Sequence, residues 1–140
     1  MYDIREELMH KMVDDLNKEQ TGFEIMSDED FYKSPYGHRR RRKNETCSSV
    51  VYMHCLVPGN EKNLLGVYFH KKDICIAAPM VFEPFVTSID VNRTQKAAFK
   101  NPYIELRVIR KDYDVMYADT KNLILELLTF ARDNQFHRIW

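Results

Sequence analysis

Apolar residues recur at helical spacing near both ends of the chain. The first segment places one at every fourth position, at Ile4, Leu8, Met12 and Leu16. Towards the other end, a broader apolar stripe follows Asp119 and comprises Leu123, Ile124, Leu127, Leu128, Phe130 and Ala131. This spacing is typical of a helix that buries one face. It predicts a first helix over residues 2–18 and a last helix over residues 119–132, with Asp119 as its N-cap.

The middle of the chain changes to a period of two. Residues 48–57 alternate between two faces, and residues 64–70 and 74–78 are short runs of strand-forming residues. Turn-forming residues separate these runs, at Pro58-Gly59-Asn60 and at Lys71-Lys72-Asp73. The pattern predicts three consecutive antiparallel strands, that is, a meander.

A second strand pair is predicted after residue 100. Residues 103–110 place Ile104, Leu106 and Val108 on one face. The pair Lys111-Asp112 then indicates a tight hairpin turn into a further strand over residues 113–117.

The remaining segments carry weaker signals. Phe23, Glu24 and Ile25 predict a short strand, and Ser27 is a suitable N-cap for one helical turn that carries Phe31 and Tyr32. Asp90 predicts the start of a short helix over residues 91–100. Strands and helices are therefore segregated along the chain. This predicts an α+β fold with a largely antiparallel sheet, built from a meander and a C-terminal hairpin and covered by the N- and C-terminal helices.

Length and composition describe an ordinary globular chain. It has 140 residues, of which 44% are hydrophobic and 30% charged, and only four are glycine. These values favour a single domain over residues 1–140 with a real core. No apolar stretch approaches the roughly 20 residues that span a bilayer, so no membrane association is predicted.

Charge is segregated although the formal net charge is zero. Residues 1–31 contain ten acidic and three basic residues, a net charge of −7. Residues 33–72 contain nine basic and two acidic residues, a net charge of +7. This pattern predicts an anionic partner. Pairing of the two segments between protomers is an open alternative, so a homo-oligomer is also considered.

The basic segment culminates in six consecutive residues, His38, Arg39, Arg40, Arg41, Arg42 and Lys43. Guanidinium groups stay charged and bind phosphate or carboxylate with two donors. Tyr32, Tyr36 and His38 lie beside the run in sequence, where their rings can stack on unpaired bases. The alternatives are a solvated loop, a loop paired with the acidic first helix, and a nuclear-localisation signal.

Candidate chemistry is sparse. Cys47, Cys55 and Cys75 form an odd set without close pairing, which favours free thiols and a cytoplasmic location. His54, His70 and these cysteines show neither C-x-x-C nor H-x-x-x-H spacing, and His54 and Cys55 face opposite sides of one strand, so no metal site is predicted. The chain has no glycine-rich phosphate loop, so no cofactor is predicted either. A small metal-dependent nuclease built from Asp90, Glu105 and Arg107 is a weaker alternative.

The only tryptophan, Trp140, lies in an aromatic C-terminal tail and is a candidate interface anchor. Taken together, the residues predict a non-catalytic binding or regulatory protein. It would dock on an acidic protein surface or a nucleic acid through residues 38–43 and Trp140. A nucleic-acid-binding module is the main alternative.

Overall fold

The computed structural model describes residues 4–34, 51–58, 63–86, 92–96 and 103–134, and every structural statement below concerns these residues. Its helices are α1 (Ile4–Lys18), α2 (Asp28–Lys33), α3 (Glu83–Val86) and α4 (Tyr113–Asp133). Its strands are β1 (Glu24–Ser27), β2 (Val51–Leu56), β3 (Asn63–Phe69), β4 (Ile74–Pro79), β5 (Asn92–Lys96) and β6 (Tyr103–Val108). A 3₁₀ turn, Met80–Phe82, precedes α3.

The six strands form one sheet in the order β1-β2-β3-β4-β6-β5, and all neighbouring pairs are antiparallel. The predicted α+β class and the meander β2-β3-β4 are therefore confirmed. Helices α1 and α4 pack against each other and against the sheet.

One face of the sheet is apolar across β1, β2, β3, β4 and β6. The cross-strand pairs Val67–Ile76 and Ile76–Leu106 show how the apolar side chains line up in register. They meet Met12 and Leu16 of α1, and Leu127 of α4, in a continuous core. Alternation places these side chains on the helix-covered side and the intervening ones on the other side. We call the other side the second face.

Two predicted elements are wrong. Residues 113–117 begin α4 instead of forming a strand. Asp112 caps this helix by accepting a 2.9 Å hydrogen bond from the backbone N–H of Asp114. Met116, Tyr117 and Thr120 are buried, so the helical spacing of buried positions starts one turn before the predicted cap at Asp119.

Residues 92–96 form the edge strand β5 rather than part of a helix over 91–100. The C-terminal hairpin thus pairs β5 with β6, in the register Thr94–Glu105. An edge strand pairs on one side only, so a polar sequence is compatible with it.

The weaker predictions are partly confirmed. The short strand is present as β1, and Ser27 caps α2 by accepting a hydrogen bond from the backbone N–H of Asp30 at 3.1 Å. No helix within the described ranges is both long enough and apolar enough to cross a membrane.

Candidate functional site

The predicted contact residues lie outside the described residues. This holds for Tyr36, for the basic run His38, Arg39, Arg40, Arg41, Arg42 and Lys43, and for Trp140. The segment that contains the basic run, residues 35–50, joins α2 to β2. Both of these elements contribute to the second face.

Helix α2 lies over the β1-β2 side of the second face. The Phe31 ring stacks on the His54 imidazole, with centroids 4.0 Å apart and an interplanar angle of 13°. His54 Nε2 lies 2.8 Å from the Asp28 carboxylate oxygen Oδ1, and His54 is almost fully buried. The interpretation of His54 as a packed histidine agrees with this geometry.

Next to His54, two tyrosines form a cross-strand pair on the second face. Tyr52 is opposite Tyr68, with ring centroids 4.2 Å apart. Burial raises the pKa of both phenols, most strongly that of Tyr52. Gly66 makes this arrangement possible, because a Cβ there would overlap the hydroxyl end of the Tyr52 ring.

The turn between β3 and β4 gathers a thiol, an imidazole and a carboxylate. His70 Nδ1 lies 2.6 Å from Asp73 Oδ1, and Cys75 Sγ lies 3.7 Å from His70 Nδ1 and 3.6 Å from Asp73 Oδ1. We call these three residues the turn cluster. The backbone N–H of His70 donates to the Asp73 carbonyl at 2.9 Å, which closes the turn. The Tyr113 hydroxyl donates to the His70 carbonyl at 2.6 Å.

Arg107 connects the turn cluster to the rest of the second face. Its Nε lies 3.5 Å from Asp73 Oδ2, and its terminal nitrogen lies 3.5 Å from Glu105 Oε1. Residues 75 and 107 are direct cross-strand partners. Glu105 and Arg107 are thus a surface pair on one strand, while Asp90, the third residue of the nuclease alternative, lies outside the described residues.

The two cysteines of the described strands are free and buried. Burial raises the pKa of Cys55 to about 12. It also raises the pKa of Cys75, although hydrogen bonding to Arg107 opposes the shift. Both are therefore thiols at neutral pH, whereas the reactive form of cysteine is the thiolate.

The turn cluster does not have the geometry of a nucleophile activated by a base. In that arrangement, one imidazole nitrogen faces the nucleophile and the other faces the carboxylate. Here Cys75 and Asp73 approach the same nitrogen, Nδ1 of His70. Three donor atoms converging on one point are instead the arrangement of metal ligands, and all of them lie within 4.8 Å of one another.

No protein-family model, curated protein or solved structure matches this chain.

Sequence reasoning missed the turn cluster. It applied the standard zinc-ligand spacings C-x-x-C and H-x-x-x-H, neither of which occurs among the histidines and cysteines of this chain. The signal was local, in the spacing His70-x-x-Asp73-x-Cys75, which spans a turn that the sequence does predict.

Proposed function

We propose that this protein is a non-catalytic binding protein with a regulatory role, which docks on an anionic macromolecule. Its contacts would be the basic run at residues 38–43 and the aromatic anchor Trp140. The observation that carries the proposal is the run of four consecutive arginines in a chain whose net charge is zero. Such a run is too concentrated to enter a core, and it attracts phosphate or carboxylate groups.

Exposed acidic residues on α1 and α2 support the proposal, because together with the basic segment they make the electric field of the protein asymmetric. Glu6, Glu7 and Asp14 on α1 are exposed, as are Glu29 and Asp30 on α2. These exposed carboxylates give the first two helices an acidic outer surface. A partner with a negative surface would be repelled there and attracted by the basic segment, which would fix its orientation.

The state of the thiols supports binding rather than covalent chemistry. The thiol of the turn cluster is buried and its pKa is raised, which disfavours a nucleophilic role. Two buried free thiols, Cys55 on β2 and Cys75 on β4, also favour a reducing compartment. We therefore propose a cytoplasmic location.

A nucleic-acid-binding module is the second candidate, and the second face favours it. Tyr68 and Tyr103 are partly exposed on this face, and Arg107 is exposed beside them. Aromatic rings next to arginines on an open sheet are suited to stacking on single-stranded bases. The segment that carries the basic run, residues 35–50, is joined to β2 of the same sheet. The zero net charge argues against a dedicated nucleic-acid binder.

The test is a binding measurement with defined polyanions. A labelled single-stranded oligonucleotide, a duplex and poly-glutamate are each titrated with the protein at low and moderate salt. Three variants accompany the wild type: Arg39–Arg42→Ala, Trp140→Ala, and a control that loses the same charge from the exposed residues Lys18, Lys71, Lys111 and Arg132. Trp140 is the only tryptophan, so its fluorescence also reports contact with a bound partner.

We expect salt-sensitive binding of at least one polyanion, loss of that binding in Arg39–Arg42→Ala, and retention in the charge-matched control. Preference for the oligonucleotide would favour the nucleic-acid candidate, and preference for poly-glutamate an acidic protein surface. Equal losses in the two charge variants would refute a specific role for the basic run. Measurement of the mass in solution at the same two salt concentrations tests the homo-oligomer alternative.

A further inference from the structure

We propose that His70, Asp73 and Cys75, the turn cluster, form a zinc-binding site. This inference is independent of the proposed partner. The three residues belong to one turn and the first strand positions after it, so their positions are set locally. They supply one imidazole nitrogen, one carboxylate oxygen and one sulfur, a donor set that zinc accepts.

The distances between the donor atoms are close to the edges of a zinc tetrahedron. With Zn–S near 2.3 Å and Zn–N or Zn–O near 2.1 Å, the sulfur should lie about 3.6 Å from each of the other two donors. The sulfur of Cys75 lies 3.7 Å from His70 Nδ1 and 3.6 Å from Asp73 Oδ1.

The third edge is the one that must change. A tetrahedron requires about 3.4 Å between nitrogen and oxygen, whereas these atoms are hydrogen-bonded at 2.6 Å. An opening of about 0.8 Å exchanges this hydrogen bond for two metal bonds. The His70 side chain is 52% exposed, so a small rotation of its ring does not disturb the core.

The neighbours of the cluster support coordination. Arg107 engages Oδ2 of Asp73 and thereby leaves Oδ1 directed towards the sulfur and the imidazole. Such outer hydrogen bonds orient metal ligands. The hydrogen bond from Arg107 to Cys75 would be exchanged for the bond from sulfur to the metal. Arg107 is also paired with Glu105, so its positive charge is offset next to the site. Tyr113 holds the backbone of His70 from α4.

The site has an inner and an outer side. Cys75 is only 1% exposed and forms the inner ligand, while His70 faces solvent. An ion held by three ligands keeps a fourth position for water or for a side chain of a partner. The chemistry thus fits an accessible zinc site, with the ion entering from the His70 side.

The test measures metal binding by the full chain. Zn²⁺ affinity is measured by competition with a chromophoric chelator, and Co²⁺ is used as a probe because a cobalt–thiolate bond gives a charge-transfer absorption. The test variants are His70→Ala, Asp73→Asn and Cys75→Ala. The matched controls are His10→Ala, an exposed histidine on α1, together with Cys47→Ala and Cys55→Ala.

We expect one ion per chain, at least tenfold weaker Zn²⁺ binding in His70→Ala and Asp73→Asn, and no thiolate–cobalt band in Cys75→Ala. The controls should bind as the wild type does. Absence of Zn²⁺ binding at micromolar protein would overturn the proposal, as would a cobalt band that persists without Cys75. Because His70 is exposed, His70→Ala decides the question even if Cys75→Ala does not fold.

Discussion

Substitution of Gly66 by alanine tests the packing of the second face most sharply. A Cβ built at this position would overlap the Tyr52 hydroxyl and would lie 2.9 Å from Tyr52 Cζ and 3.2 Å from Cε2. The Tyr52 ring has little freedom to move aside, because it contacts His54 edge-on at 4.5 Å and Tyr68 at 4.2 Å between centroids. The substitution should therefore displace the ring and weaken both contacts.

The magnitude follows from two opposing terms. Overpacking of this kind costs about 1–3 kcal/mol. Replacing glycine by alanine at a compatible position restricts the unfolded chain and returns about 0.4–1 kcal/mol. We therefore expect Gly66→Ala to lower the free energy of unfolding by about 1–2 kcal/mol, as measured by urea denaturation followed by circular dichroism.

A double-mutant cycle isolates the cause. Tyr52→Leu removes all three side-chain atoms that the new Cβ would meet, so Gly66→Ala should be neutral or stabilising in that background. Gly22→Ala serves as the control. Gly22 has a φ of +87° and nothing within 4 Å of a built Cβ, so its substitution should cost the same in both backgrounds. If Gly66→Ala costs the same with and without Tyr52, the reasoning is refuted.

Three further predictions concern a helix cap, a long-range hydrogen bond and a buried thiol. Asp112→Ala should lower the free energy of unfolding by about 1 kcal/mol because it removes the N-cap of α4. Asp119→Ala removes only an exposed ion pair with an arginine and should lower it by less than about 0.5 kcal/mol. Urea denaturation of both variants measures the two changes. The Tyr117 hydroxyl donates to Asp15 Oδ2 at 2.5 Å and holds the pKa of Asp15 below its usual value of 3.8. The stabilisation from this hydrogen bond is present above pH 4 and is lost as the pH falls through the lowered pKa of Asp15. Acid titration of Tyr117→Phe should therefore show a smaller loss of stability than that of the wild type. Cys55, with its pKa raised to about 12, should resist alkylation at pH 8 in the native protein and react after unfolding, as peptide mass mapping would show. Since the pKa of Cys55 is higher in the folded state, its contribution to stability is complete below pH 9 and declines between pH 9 and 12, and Cys55→Ala should reduce that decline.

The sequence predicted the elements whose period was unambiguous. The meander β2-β3-β4 has alternating apolar positions and clear turns, and α1 has a regular apolar stripe. The predicted start of α4 was wrong because five residues, 113–117, are too few to distinguish the helical period from the strand period. Only the burial of Met116 and Thr120, which continues the helical spacing, distinguishes them.

The edge strand β5 shows a different limit of prediction from sequence. Strand β5 pairs on one side only, and its polar sequence has no alternating apolar positions that would identify it as a strand.

The turn cluster could be predicted as a turn but not as a set of convergent ligands. The side-chain directions of His70, Asp73 and Cys75 depend on the conformation of that turn and on its hydrogen bond from Tyr113, neither of which the sequence specifies.

The central claim, that the basic run contacts an anionic macromolecule, is tested most directly by the salt dependence of polyanion binding. If the four arginines neutralise four phosphates of a single strand, the slope of log K against log salt should be shallower by about 3 in Arg39–Arg42→Ala than in the wild type. The charge-matched control should retain the wild-type slope. If the basic run is the contact, Arg39–Arg42→Ala should show a shallower salt slope than the wild type with the oligonucleotide. With poly-glutamate, the slope should change in the same direction. If the wild type binds neither polyanion, or binds with the same slope as Arg39–Arg42→Ala, the claim is contradicted.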